Sequence, residues 1–358
     1  MTSKEGDRLA NTWESMKGKE FVPLGMFWSG DWDVPEQDLY AHTTGRDRLE
    51  LLRNSIFSTS EVYVNENLYD LAITVLIDAG MSAGEYFIDD DLKQYVIPYA
   101  YFDSQSHREA LRKIAEASLG QAYCDREGIL RIEGATYLDS LVPVDNIARD
   151  DYFTKNNPTK WSEVANYIEV ETQPLTLMSV QEVYKSNELE SIGAGRTKSI
   201  TAFYNEIPCI NAVAAITGTG TISSVNYYAW GAAIEVASAT AGTFELSINA
   251  QPLKVLNTEK IIKKDDNSIA SNGQLKYTYP VNPLVQTRAQ AENIASNLLL
   301  YYREPRKDIE LDWRGNPAMI LGDRITVTDR NGANDYYVIS QQLEFDGALK
   351  SMIRGRKA

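Results

Sequence analysis

The sequence predicts an α+β fold that is mostly β and is divided into several small domains. A length of 358 residues exceeds the roughly 100 to 200 residues of a single domain. Many short runs rich in Val, Thr, Ser and Tyr are bounded by Gly and Asn, which is typical of antiparallel strands. A few segments instead repeat apolar residues at helical spacing. We therefore expect barrel-like antiparallel domains, an α+β module and a β-sandwich-like domain, with these boundaries: a partial first barrel domain at 1–60, the α+β module at 61–150, a β-rich sandwich or barrel domain at 151–285, and a helix plus C-terminal barrel domain at 286–358.

The first half of the chain alternates strands and helices. The segment "FVPLGMFWSGDWDVP" predicts strand, turn and strand; a short helix at about 47–52 is expected only from the family resemblance described below. A second helix is expected at about 65–79, with Asn65 as its N-cap and Gly80 as its left-handed C-terminal residue. Ser106 with Glu109 forms a capping box for a third helix, and a hairpin follows around 126–128.

The middle of the chain is predicted to be rich in β-strands. A linker with the strand "NYIEVET" spans 152–174, and about seven strands follow between Ser179 and Tyr279. Among them, "ITGTGTIS" contains a Gly-Thr-Gly that lacks the lysine and the helix of a phosphate-binding loop. We interpret it as a hairpin turn.

The last segment is one helix followed by short strands. Thr287 and Gln290 offer a capping box, and Pro305 ends the helix. Asn331-Gly332 and Asp346-Gly347 are hairpin signals between alternating apolar residues. Four or five antiparallel strands should therefore curl into a small barrel-like domain.

This segment carries a resemblance. The run "RAQAENIASNLLLYYREPRKDIELDWRGNPAMILGDRITVTD", followed by "YYVISQQLEFDGALKSMIRGRK", resembles the C-terminal region of bacteriophage and prophage tail hub proteins, which are baseplate or tail-tip subunits. The shared details are a helix leading into a charged strand, the "GNP…LGD" turn pair and the closing "FDG" hairpin. The early "plGxF" pattern resembles the end of the first barrel of that family. More sequence normally precedes this point, so the resemblance implies an incomplete first barrel.

The resemblance implies a structural virion protein rather than an enzyme. It implies a homotrimeric hub at the distal tail tip, with the first and last barrel-like domains alternating as a pseudo-sixfold ring around the DNA channel. The implied partners are other copies of the chain, the distal tail protein, the tape measure protein, the tail tube protein and a downstream fibre or spike. DNA would pass through without specific binding, and the virion would be assembled in the host cytoplasm.

Composition agrees with a protein that does not grip polyanions. Acidic residues number 50 against 35 basic ones, for a net charge of -15, which argues against binding nucleic acid or anionic membrane through general electrostatics. No run approaches the roughly 20 apolar residues of a membrane span, and the N-terminus lacks a signal-peptide core. We expect no membrane insertion.

Chemically reactive residue types are scarce. Cys124 and Cys209 are the only cysteines and His42 and His107 the only histidines, which excludes cysteine zinc sites and the common histidine-rich sites. Asp89 begins a run of three aspartates that we interpret as a solvated turn, because adjacent carboxylates do not converge on calcium. We expect His107 to be a surface residue. The prediction is therefore no catalytic residue, no cofactor-binding residue, no metal ligand and no cofactor.

Two other functions stay open. Trp230, Tyr227 and Tyr228 offer an aromatic face on which a tail-tip module would bind cell-wall carbohydrate. A pair of carboxylates at glycosidase spacing would make the chain a cell-wall hydrolase, although the sequence does not reveal such a pair. Asp323 and Asp346 adjoin glycines, where aspartate typically serves turns.

Overall fold

The computed structural model describes residue 23 and residues 25–34, 40–330 and 332–358. Strands hold 47% and helices 19% of the described residues, which confirms the α+β, mostly β prediction. The helices of the described part are α1 (Arg48–Asn54), α2 (Leu68–Asp78), α3 (His107–Ala117), α4 (Asp266–Asn272) and α5 (Arg288–Tyr302). The strands of the first half are β1 (Trp28–Asp33), β2 (His42–Arg46), β3 (Ile56–Phe57), β4 (Tyr63–Asn67), β5 (Tyr86–Ile88), β6 (Val96–Ala100), β7 (Gln105–Ser106), β8 (Gln121–Cys124), β9 (Leu130–Glu133), β10 (Asp145–Ile147), β11 (Tyr152–Asn156), β12 (Thr159–Lys160) and β13 (Tyr167–Glu171).

The remaining strands follow in chain order: β14 (Leu175–Leu177), β15 (Gln181–Lys185), β16 (Glu190–Ile192), β17 (Arg196–Phe203), β18 (Cys209–Gly218), β19 (Thr221–Tyr227), β20 (Gly231–Ser238), β21 (Gly242–Val255), β22 (Lys260–Lys264), β23 (Lys276–Thr278), β24 (Arg306–Trp313), β25 (Arg324–Asp329), β26 (Gly332–Phe345) and β27 (Leu349–Lys357). The residues 21, 22, 24 and 35 of the predicted first strands, and Asn331 of a predicted hairpin, lie outside the described residues. The described residues are organised around three hydrophobic cores.

Helices α2 and α3 form the centre of the first core, and their ends follow from local chemistry. The N-cap of α2 is Asn67, whose Oδ1 accepts the Asp70 amide at 2.9 Å. The predicted cap, Asn65, instead has a φ of 52° inside the preceding segment, so that assignment is wrong by two residues. Gly80, with a φ of 77°, ends α2 as predicted. Ser106 Oγ accepts the Glu109 amide at 3.2 Å, which confirms Ser106 as the N-cap of α3, while the Glu109 carboxylate accepts from Arg112 instead of closing a capping box.

Helix α5 also packs in the first core. Its buried residues Ala291, Ile294 and Ala295 belong to the same cluster as Leu71 and Ile114 of α2 and α3. Strands β13, β22 and β23 form a three-stranded sheet beside it. The predicted domain 286–358 combines this helix with the C-terminal strands. The domain boundaries stay a prediction. No helix in the described part is long and apolar enough to cross a membrane.

Strands β14 to β21 form a sandwich of two sheets around the second core. In one sheet, β21 pairs along one edge with β14, β15 and β16 and along the other with β18. The other sheet has the order β17-β20-β19. Phe244, Leu246 and Ile248 alternate on β21 and are buried, as period-two packing requires. Gly218 and Gly220 connect the two sheets, so the predicted hairpin turn is instead a turn between β18 and β19, which pair with different strands.

The C-terminal strands belong to a seven-stranded sheet with the order β10-β25-β26-β27-β24-β11, and β12 also pairs with β24. Ile309, Leu311 and Ile353 are among the buried residues of its core. The β26–β27 hairpin turns at Gly347, whose φ is 105°, as the Asp-Gly signal predicts. The described strands form an open ladder and no closed barrel. Strands β10, β11 and β12 come from residues far away in sequence, which local patterns did not reveal.

Candidate functional site

The three consecutive aspartates serve local structure. Asp89 accepts the Asp91 amide at 3.2 Å and the Gly134 amide at 3.1 Å, so it fixes the start of a short 3-10 helix. Asp90 pairs with Lys93 Nζ at 2.6 Å. Within the described residues, no group of three or more His, Cys, Asp or Glu side chains is placed to hold a metal ion. The predicted turn is therefore where the structure places them.

His107 is only 2% exposed, so the prediction of a surface residue is wrong. Its Nε2 lies 2.9 Å from Asp78 Oδ2, and its Nδ1 lies 2.8 Å from Ser55 Oγ. Its ring also packs on Phe57, with 5.6 Å between centroids. The side chain thus joins the start of α3 to the ends of α1 and α2. The signal was present in sequence, since His107 precedes Leu111 by four residues on the buried face of its helix.

Ser55, His107 and Asp78 are the residue types of a nucleophilic triad. Such a site also needs a concave space beside the nucleophile that holds a substrate. Two of the cavities in the described part, of about 360 and 390 Å³, are both lined by residues other than these three. The contacts of Ser55, His107 and Asp78 therefore hold the ends of three helices together, and we call this group of residues the clamp.

The aromatic side chains of the sandwich form a joint rather than an open face. Trp230 Nε1 donates to the Ser58 carbonyl at 2.7 Å. The Trp230 ring stacks on Tyr228 at 5.2 Å and lies 5.3 Å from Phe203. The Tyr227 hydroxyl accepts a hydrogen bond from a backbone amide of β18. Tyr228 and Trp230 of the predicted aromatic face stack on each other, whereas Tyr227 binds β18. Local sequence patterns did not reveal that Trp230 connects the sandwich to the first core.

A second joint connects the first core to the C-terminal sheet. Arg126 donates to the Pro317 carbonyl and, at 2.7 Å, to Gln341 Oε1. The cavity of about 360 Å³ lies beside it and includes Met26 and Cys124 in its lining. Burial raises the pKa of the Cys124 thiol to about 11, so this sulfur is a neutral thiol at neutral pH. This region is therefore a contact between the first core and the C-terminal sheet.

The hairpin of β1 and β2 leaves large apolar side chains in solvent. These two strands pair only with each other among the described strands. Val34, Tyr40 and Trp32 beside and within it are 68%, 60% and 59% exposed. A two-stranded hairpin alone is marginally stable in water. This hairpin therefore has the properties of a surface that is completed by another protein surface.

The C-terminal sheet exposes a second set of apolar side chains. Phe345, at the tip of the β26–β27 hairpin, is 76% exposed, and Met352 nearby is 56% exposed. Phe153 on β11 and Trp161 after β12 are also exposed. Exposed clusters of this kind mark protein–protein contacts more often than chemistry. Sequence patterns placed Phe345 and Met352 on strands and Phe153 and Trp161 in a linker, without showing that these side chains are exposed.

This fold has counterparts among known protein structures. No protein-family model matches the sequence, and a comparison with curated proteins finds no match. Among solved structures, the chain is similar to a 43 kDa tail protein of prophage MuSo2 from Shewanella oneidensis, with a TM-score of 0.51 and 13% identity over 94% of this chain and 80% of the other. It is also similar to a tail protein from Neisseria meningitidis MC58, with a TM-score of 0.52 and 11% identity over 95% of this chain and 81% of the other. The chain therefore has the fold of these two tail proteins.

Proposed function

We propose that this chain is a structural virion protein of a phage tail. The observation that carries the proposal is the likeness of fold to the two tail proteins, one of them from a prophage, over at least 94% of this chain. The exposed apolar surfaces of the β1–β2 hairpin and the C-terminal sheet support it, because a virion subunit covers such surfaces in the assembled particle.

The finer proposal is a homotrimeric hub at the distal tail tip. In it, the chain adapts the sixfold tail tube or distal tail ring to threefold tip components. Its neighbours are the distal tail protein, the tape measure protein, the tail tube protein and a downstream fibre or spike. Open sheet edges and exposed aromatic residues support this arrangement, since a closed ring covers edges that otherwise promote aggregation.

The acidic character of the chain supports a position around the DNA channel. A net charge of -15 makes an acidic lining available, and such a lining repels a passing polyanion instead of retaining it. A ring with a basic lumen would contradict this part of the proposal. No specific DNA contact is expected.

Electron microscopy of the purified chain tests the trimer. Negative-stain class averages are collected over a range of protein concentration, and we expect threefold rings with a central hole. Monomers at every concentration would contradict a trimer that closes by itself. Rings of another symmetry would contradict the adaptor role.

Two alternatives have direct tests. Phe203 is 65% exposed beside Trp230, so a carbohydrate-binding module is tested on a glycan array, where binding would favour it over the hub. The cell-wall hydrolase is tested by zymography on host cell walls. Clearing of the walls would favour that function.

A further inference from the structure

The sandwich is inserted between two paired strands of the first core. Strands β13 and β22 pair antiparallel along their whole length, as the two strands of a hairpin do. All of β14 to β21 lies between them in sequence. The two ends of the sandwich are paired as well, since Leu175 of β14 lies opposite Val255 of β21. The chain therefore leaves the first core and returns to it at one place.

The two connections between the first core and the sandwich, residues 172–174 and 256–259, lie side by side and are here called the pivot. The Thr172 amide donates to the Glu259 carbonyl at 2.9 Å. Asn257 has a φ of 58°, in the left-handed region that asparagine adopts more readily than most residues. A few loop residues are enough to absorb a change of backbone angle between two domains. Two adjacent connections of this kind can therefore act as a hinge.

Beyond the pivot, the loop between β19 and β20 touches the first core. Trp230 Nε1 donates to the Ser58 carbonyl at 2.7 Å, and the Ala229 amide donates to the Ser60 carbonyl at 2.8 Å. Ser60 is fixed within the first core, because its Oγ accepts the Phe102 amide at 3.0 Å. These two hydrogen bonds between the loop and the first core are here called the latch.

The interactions between the sandwich and the first core are otherwise weak in the described part of the chain. Their two hydrophobic cores share no described residue, and Ala229 belongs to neither. The salt bridges found in the sandwich join its own residues, namely Lys185 with Glu245, Lys198 with Glu190, and Lys254 with Glu206. Domains without a large apolar interface are expected to move relative to each other. One hydrogen bond shifts an equilibrium by about twofold to twelvefold, so the latch favours one position without excluding a second.

We propose that the sandwich rotates about the pivot as one body, and that the latch holds it in the position seen in this structure. Opening the latch uncovers Ala229, which is 2% exposed in the closed position. Anything that binds the uncovered loop more tightly in the open position shifts the sandwich towards that position. This inference does not depend on the proposed function, because it uses only contacts within one copy of the chain.

Double electron–electron resonance measures the movement in the full chain. Spin labels are attached at Ile77→Cys on α2 and Leu189→Cys before β16, whose wild-type side chains are 62% and 67% exposed. The two native cysteines are first replaced by Cys124→Ala and Cys209→Ser. Excess unlabelled chain is added, so that distances between copies do not contribute. A second pair of labels, at Leu189→Cys and Val213→Cys, lies within the sandwich and reports whether it keeps its fold.

The latch is weakened by two variants. Trp230→Phe removes the N–H donor and keeps an aromatic ring, whereas Trp230→Ala removes both. The matched control is Phe203→Ala, because the Phe203 ring lies 5.3 Å from the Trp230 ring and is 65% exposed. We expect two distances between the labels at positions 77 and 189, with the second at least about threefold more populated in the Trp230 variants than in the wild type.

The control variant and the label pair within the sandwich should both match the wild type. One identical distance distribution in the wild type and in both Trp230 variants would overturn the inference. An equal redistribution in Phe203→Ala would overturn the role of the latch. A changed distance within the sandwich would overturn the rotation as one body, since the sandwich itself would then be rearranged.

Discussion

Replacing Lys160 by methionine removes the cation nearest to a buried carboxylate in the C-terminal sheet. Asp308 on β24 is 2% exposed, and its Oδ2 lies 3.3 Å from Lys160 Nζ. Neither carboxylate oxygen of Asp308 accepts a hydrogen bond, so the contact is an ion pair without further support. Its loss leaves a negative charge in a site that excludes water.

The magnitude follows from the distance and the burial. At 3.3 Å, Coulomb's law gives about 1 kcal/mol in water and about 5 kcal/mol at an effective dielectric constant of about 20. Breaking a fully buried pair costs about 3 to 5 kcal/mol. The Lys160 side chain is 30% exposed, so water replaces part of its effect. We therefore expect Lys160→Met to lower the free energy of unfolding of this core by about 2 to 3 kcal/mol.

Hydrogen exchange of the β24 and β27 amides is the appropriate assay, because a chain with three cores need not unfold in one step. The matched control is Lys350→Met, which removes an exposed pair with Asp346 from the same sheet. Exposed pairs contribute little. Equal protection of β24 in Lys160→Met and Lys350→Met would refute the reasoning. A double variant with Asp308→Asn should recover most of the loss, since no buried charge then remains.

Two further predictions concern other buried contacts. His107→Ala should lower the free energy of unfolding of the first core by about 2 to 4 kcal/mol, because two hydrogen bonds and a packed ring are lost. Urea melts compare this variant with Arg108→Ala, which changes an exposed neighbouring residue. Equal urea midpoints for the two variants would contradict the clamp. The Thr326 hydroxyl and the Arg324 guanidinium hold the pKa of the Asp335 carboxyl below its ordinary value. This contribution to stability is present above the unfolded pKa of about 3.9 and is lost as pH falls through the folded pKa, so urea midpoints of Asp335→Asn should depend less on pH below about 5, and an unchanged pH dependence would contradict the assignment.

Helix positions and turns were accessible from sequence because they depend on near neighbours. The Ser106 N-cap, the left-handed Gly80 and the Asp346-Gly347 hairpin all occur where local rules place them. Asn67 rather than Asn65 caps α2. Both asparagines satisfy the local rule for an N-cap, and only the direction in which the chain enters the helix selects between them.

Contacts between distant segments were not accessible. Nothing near His107 in sequence names Ser55 or Asp78 as its partners, and nothing near Trp230 names Ser58. The exposure of Trp32 is likewise hidden, because an apolar residue on a strand predicts burial unless the whole fold is known.

The sequence by itself determined the mostly β class, the positions of four of the five described helices, the β8–β9 and β26–β27 hairpins and the acidic charge. Only the tertiary structure decided that β10, β11 and β12 join the C-terminal sheet, that α5 packs in the first core, and that β18 and β19 pair with strands of two different sheets. The physical reason is range. Capping, turn formation and periodicity act over a few residues, whereas strand pairing and core membership are set by which distant surfaces bury each other best.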